Sequence, residues 1–174
     1  FIYNYLYQMD LNGKKILDLC TGSGIIAIAV KKRFPNAIVY ASDISLGALS
    51  IAKKSSEINN TDITFMKSDF LKDIHDKFDI IISNPPYIEE NSKDVDTPFE
   101  PHIALYSGKD GLDSYRSIFK DLPSHLNENG SAYFELESTN STSTEKLFKE
   151  INKDRYHTEI WKDTYDRDRY LIIH

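Results

Sequence analysis

The chain is 174 residues long, 40% hydrophobic and 28% charged, with a net charge of −6 and a single cysteine. That length suits one domain with a substantial core rather than two, and no apolar run approaches the roughly 20 residues that cross a bilayer. The acidic balance excludes a global attraction to nucleic acid and favours a protein or small-molecule partner, while a lone Cys20 and no visible signal peptide fit a soluble, cytoplasmic protein.

The chain begins with Phe1 rather than Met and reads as a fragment; Ile2, Tyr5, Leu6 and Met9 stand at near-helical spacing, predicting a short lead-in helix within residues 1–14. Strands are predicted over Lys15 to Cys20, Ala37 to Ala41, Ile63 to Lys67, Phe78 to Ser83, Ser131 to Glu137, Tyr156 to Trp161 and Arg169 to His174. Helices are predicted over Ile25 to Phe34, Leu46 to Ile58, Leu112 to Leu126 and Thr144 to Asn152, with punctuation at Pro35-Asn36, Asn59-Asn60 and Asn129-Gly130. Glu137 to Thr144, rich in Ser and Thr, reads as a loop. This alternation predicts an α/β fold, a mostly parallel seven-stranded sheet with helices on both faces. Only the polar stretch Lys162 to Asp168 separates the last two strands, too short for a crossover helix, so they should pair antiparallel. A parallel sheet closed by one antiparallel strand is the arrangement of class I methyltransferases, and dinucleotide dehydrogenases usually lack it.

The chemistry-bearing residues fall at the carboxyl ends of the first four strands, where open α/β sheets bind ligands. Asp18 lies in the first strand, which runs through Cys20-Thr21-Gly22-Ser23-Gly24 into a helix. Gly22 and Gly24 are expected to let a ligand approach the backbone at the positive end of that helix. Gly22, Gly24 and Ala27 also satisfy the dinucleotide fingerprint, and Asp43 follows about 20 residues on, so an NAD enzyme stays open at this point. Asp43 ends the second strand, where its carboxylate can take both ribose hydroxyls of either adenosine cofactor; a plain surface aspartate is the bland alternative. Asp69-Phe70 after the third strand reads as an adenine pocket, the carboxylate accepting from the exocyclic amino group and the ring covering the base, although a phenylalanine there is often simply core.

Asn84-Pro85-Pro86-Tyr87 follows the fourth strand. The prolines stiffen the loop and donate no N–H, leaving backbone carbonyls free to accept from a substrate. Asn84 adds an acceptor and Tyr87 a flat face, which suits holding a planar, poorly nucleophilic nitrogen for methylation; an ordinary turn after a buried strand is the plain alternative. None of His75, His102, His125, His157 and His174 has metal-ligand spacing, and no metal is expected; His102 is the one near the loop.

Taken together these residues resemble the class I, S-adenosylmethionine-dependent glutamine methyltransferases that modify peptide-chain release factors. Beside Leu17 to Gly24 and Ser83 to Ile88, the resemblance rests on Phe99-Glu100-Pro101 with Ala104-Leu105, on Gly108 and Asp110-Gly111-Leu112, and on the tail Asp163 to Arg169. It implies a Rossmann-like fold in which Cys20 to Gly24 and Asp43 bind S-adenosylmethionine, Phe70 flanks its adenine and Asn84 to Tyr87 hold the substrate glutamine. It also implies the substrate: the glutamine of a Gly-Gly-Gln motif in a release factor, methylated on its side-chain amide. Cys20 stands where that family usually has the first glycine of its loop, a replacement expected to be tolerated if its φ is not positive. Glu137-Ser138-Thr139 departs from the family's usual Glu, His or Val, then Gly, and the family's amino-terminal helical domain has no counterpart in these 174 residues. A nucleic-acid amino-methyltransferase is the rival reading, because the same loop can hold adenine or guanine; the acidic charge tells against nucleic acid as the direct substrate.

Overall fold

The computed structural model describes residues 9–92, 101–153 and 155–174. Most of the expected lead-in helix, with Phe99 and Glu100, lies outside the described residues. The strands are β1 (Lys15–Leu19), β2 (Ile38–Asp43), β3 (Thr64–Lys67), β4 (Phe78–Ser83), β5 (Leu126–Glu135), β6 (Thr158–Lys162) and β7 (Asp168–Ile173). The helices are α1 (Ile25–Arg33), α2 (Leu46–Ile58), α3 (His102–Leu105), α4 (Asp113–His125) and α5 (Ser141–Asn152), with a 3₁₀ turn at Ser138–Asn140. Seven strands form one sheet in the order β3-β2-β1-β4-β5-β7-β6. The first five pair parallel, and β7 alone runs antiparallel, to β5 on one side and β6 on the other. The expected fold class and the closing hairpin are both present.

Strand alternation builds the two layers. Leu17, Leu19, Ile81 and Phe134 face α4 and α5, packing on Tyr115, Phe119 and Phe148, whereas their neighbours Ile16, Ile80, Ile82 and Tyr133 face the opposite layer with Ala27 and Val30 of α1. Phe119 anchors the first layer, edge-on to Phe134 at 5.3 Å and to Phe148 at 5.1 Å, geometries that aromatic pairs prefer.

Two boundaries differ from the sequence reading. Asn129-Gly130 is not a turn: β5 starts at Leu126, directly after α4, and its pairing with β4 shifts register between Phe78 and Ile80. Asn129 takes φ 61°, and a Cβ on Gly130 would stand 3.0 Å from the Phe78 carbonyl, so the polar tetrapeptide is accommodated as an irregularity inside the strand. The Ser/Thr-rich stretch is not a loop either, since the 3₁₀ turn runs straight into α5 at Ser141.

The strand order reverses between β1 and β4, and this places the site. Leu19 pairs with Ser83, so the loops leaving these two strands start side by side. The buried Ser83 hydroxyl donates to the Leu19 carbonyl at 2.7 Å and ties the two strand ends together.

Candidate active site at the carboxyl edge of the sheet

The glycine loop is built around Asp18. Its Oδ2 accepts from the Thr21 hydroxyl at 2.5 Å and from the Ala27 amide, in the first turn of α1, at 2.9 Å. One carboxylate thus holds both sides of the turn. Asp18 is 1% exposed, its Oδ1 has no hydrogen-bond partner among the described residues, and burial raises its pKa to about 7 against the bonds from Thr21 and Ala27. Thr21 is therefore turned inward, contributing its backbone and not its hydroxyl to the edge, while Ser23 is exposed.

The two glycines do different things. Gly22, at φ 55°, has nothing within 4 Å of where a Cβ would stand, which is open space for a ligand. Gly24, at φ 84°, would put a Cβ 2.9 Å from Ala52 Cβ on α2, so its bareness lets α1 pack closely on α2. Cys20 overturns the condition set for it: its φ is 62°, the left-handed region that the replaced glycine would occupy freely. Its side chain packs against the α4-facing core, and burial, with Asp43 nearby, pushes the thiol up to about 12.

Asp43 joins two loops. Oδ2 accepts from the Gly22 amide at 2.9 Å and Oδ1 from the Ser45 amide at 2.9 Å. Each oxygen keeps a second lone pair, and the side chain is partly exposed, so ribose hydroxyls can still be accepted. Beside it, Phe70 is held at φ 51° with its ring against the core, and Asp69 is ion-paired with Lys72. An adenine amino group would share that carboxylate with the lysine.

The Asn84 to Tyr87 loop leaves β4 next to this edge. Asn84 is exposed and its side chain makes no hydrogen bond to a described residue; Pro85 is buried; Pro86 and Tyr87 are partly buried, Tyr87 against the α4-facing core. Tyr115, 1% exposed, stands close enough to Tyr87 to feel it electrostatically and donates to the Glu135 carbonyl at 2.5 Å; burial raises its pKa well above the usual phenol value. Immediately after the loop, Ile88 N donates to Leu105 O at 2.9 Å, Ser107 N to Ile88 O at 2.8 Å and Glu90 N to Gly108 O at 3.0 Å. Residues 105–108 thus pair with residues 88–90, a contact with no periodic trace in the sequence; only the resemblance had singled out Leu105, Gly108 and Gly111. His102 stacks on Tyr106 at 4.2 Å, beside this segment.

The geometry brings Asp18, Cys20 to Gly24, Asp43 and Asn84 to Tyr87 to one edge, the glycine loop beside the proline loop, with Asp69 and Phe70 past the end of β3. Residues 4–100 match the methyltransferase small domain family. Among curated proteins, the chain is 40% identical over 172 residues to the release factor glutamine methyltransferase of Flavobacterium psychrophilum, a match covering 94% of this chain and 59% of that protein. It is 35% identical over 161 residues to the ribosomal protein uL3 glutamine methyltransferase of Bradyrhizobium diazoefficiens, covering 89% of this chain and 48% of that one. The chain therefore spans about half to three fifths of the length of these relatives. The crystal structure of a methyltransferase from Pyrococcus furiosus aligns with a TM-score of 0.72 over 99% of this chain and 80% of that one, at 22% identity, and shares the fold.

Proposed function

This chain belongs to the methyltransferase small domain family, and from that premise we propose that it methylates the side-chain amide nitrogen of the glutamine in the Gly-Gly-Gln motif of a peptide-chain release factor, using S-adenosylmethionine. The observation that carries the reading is the pairing of Leu19 with Ser83, which sets the open space over Gly22 beside the free acceptor of Asn84. The residues fit the cofactor: Gly22 leaves a cradle that a side chain would fill, Asp43 presents spare lone pairs at a strand end, and Phe70 offers a ring at the next. Backbone of residues 20–24 and Asp43 would hold the amino acid and ribose parts, with Asp69 and Phe70 at the base. When bound, S-adenosylmethionine supplies an electrophilic methyl group on a sulfonium centre.

The chain's own work is to aim a poor nucleophile. Amide resonance ties up the glutamine nitrogen lone pair. Asn84 Oδ1 and the Pro85 carbonyl accept its two hydrogens and turn that lone pair out of conjugation, toward the cofactor side, while the Tyr87 ring packs on the amide plane. Neither proline can satisfy these acceptors from within the loop. Good orientation of reactants is worth about 7–11 kcal/mol of barrier, so positioning alone carries a large share of the rate. Asn84 is exposed, and the proton leaving nitrogen passes directly to water.

The test is transfer of a labelled methyl group from S-adenosylmethionine to purified release factor and to its Gly-Gly-Gln variant with Gln→Ala, with a uL3-type ribosomal protein and DNA in parallel. Label on the intact release factor and not on the variant is expected. Label only on the ribosomal protein would move the substrate, and label only on DNA would overturn the glutamine reading in favour of the nucleic-acid one.

A further inference from the structure

Resting on the reading of residues 84–87 as the acceptor loop, we infer that the segment Leu105 to Gly111 positions that loop, with Gly111 as its steric key. Neither Pro85 nor Pro86 has an amide hydrogen with which to anchor the loop. Just past the prolines, the amides of Ile88 and Glu90 both donate into this segment, to Leu105 and Gly108. Gly111 then brings the segment against the loop from the other side. It takes φ 70°, and a Cβ there would stand 2.3 Å from the Tyr87 carbonyl oxygen, about 0.7 Å inside the 3.0 Å that real contacts respect. The atom in the way is backbone of the acceptor loop itself, so a side chain at 111 moves either that loop or the turn bearing it.

The turn is fixed to α4 and cannot yield freely. Arg116 forks onto both oxygens of Asp110, at 2.9 and 2.5 Å, and reaches Asp113 at 2.7 Å. This fork pulls the Asp110 carboxyl down to about 2. Inside the turn, the buried Ser107 hydroxyl accepts from Ser114 N at 2.8 Å and donates to the Ser114 hydroxyl at 2.9 Å. Asp113 fills the place a side chain on Gly108 would need, its Oδ2 2.0 Å from that Cβ position. The first turn of α4 is therefore a rigid mount, and Gly111 sets how closely the acceptor loop lies on it. None of these groups lies in the glycine loop or at Asp43, so the segment governs acceptor placement separately from cofactor binding.

The experiment compares wild type, Gly111→Ala, Gly111→Asn and Arg116→Ala in the intact protein, reading kcat, KM for release factor, S-adenosylhomocysteine affinity by calorimetry, and amide hydrogen exchange at Ile88 and Glu90. A displacement approaching 1 Å costs about 100-fold in rate. Both Gly111 variants should lose about that in kcat, keep S-adenosylhomocysteine affinity within twofold and exchange faster at Ile88 and Glu90, with the β1 and β4 amides unchanged. Asn tolerates the left-handed conformation better than Ala, so equal losses assign the effect to the Cβ collision, and recovery by Gly111→Asn would overturn the steric account. Arg116→Ala should show the same exchange pattern with a smaller rate loss. Unchanged exchange at Ile88 and Glu90 in the Gly111 variants would overturn the inference. If wild type transfers no methyl to release factor, the functional reading fails instead, and the exchange measurement still decides whether this segment holds the loop.

Discussion

Replacing Gly22 and Gly24 separately by alanine should give opposite phenotypes from positions two residues apart. Both have positive φ, 55° and 84°, so each alanine incurs the left-handed cost of about 1–2 kcal/mol. At Gly24 the new Cβ also meets Ala52 Cβ at 2.9 Å and Ala52 Cα at 3.2 Å, on the backbone of α2, which cannot swing away as a flexible side chain would. Overpacking of this kind adds about 1–3 kcal/mol, for a total of roughly 2–5 kcal/mol, a large part of the about 5–15 kcal/mol typical of a domain. At Gly22 nothing lies within 4 Å and no second term arises. Its methyl instead enters the open space proposed to hold the cofactor, and a tenfold or larger loss of S-adenosylhomocysteine affinity, at least about 1.4 kcal/mol, is expected. Urea unfolding monitored by the single tryptophan, Trp161, and calorimetry with S-adenosylhomocysteine read the two effects separately. Equal loss of stability in both variants, or full affinity in Gly22→Ala, would refute the division of labour between the glycines.

Three further outcomes follow from the same geometry. Asp18 is held by burial near a pKa of about 7, so the folded chain keeps a proton that the unfolded chain gives up near 4; stability should be full below pH 4, fall by a few kcal/mol as pH rises toward 7 and then level off, and Asp18→Asn should flatten that decline in unfolding curves taken across the range. Asn84→Ala, at an exposed side chain without a described partner, should leave the unfolding midpoint within about 0.5 kcal/mol and S-adenosylhomocysteine affinity intact while lowering kcat by at least about 100-fold; a parallel loss of cofactor affinity would remove Asn84 from the acceptor role. Cys20→Val puts a β-branched side chain at φ 62° and should cost at least about 2 kcal/mol, whereas Cys20→Gly relieves that strain, loses a little core contact and should fall within about 1 kcal/mol of wild type; a neutral valine would show the conformation at residue 20 to be unstrained.

How much of this was legible varies with the range of the forces involved. β1 and β4 are mostly apolar stretches leading into the glycine loop and the Asn84 to Tyr87 loop, so composition and punctuation place their ends to within a residue. Asn127 to Gly130 has turn composition and predicts a later start for β5, but the pairs Leu126–Phe78 and Ser131–Ile80 on either side of it, with a hydrogen bond from Asn127 to Asp79, carry the strand across that stretch. α3 is four residues long and carries no periodicity to read. At the site, residue types suggested the ligand loop and the acceptor loop, but not that Gly24 serves helix packing or that Cys20 takes a positive φ, since both depend on atoms far away in sequence. The tie from Ser83 to Leu19 and the pairing of residues 88–90 with 105–108 are long-range hydrogen bonds, invisible to any local pattern.

The central claim is tested most directly by tandem mass spectrometry of release factor incubated with this chain and trideuteromethyl S-adenosylmethionine. The account predicts one trideuteromethyl group, on the side-chain nitrogen of the Gly-Gly-Gln glutamine, and none when Asn84→Ala replaces wild type. A label on any other atom of the release factor, or an undiminished label with Asn84→Ala, would contradict it.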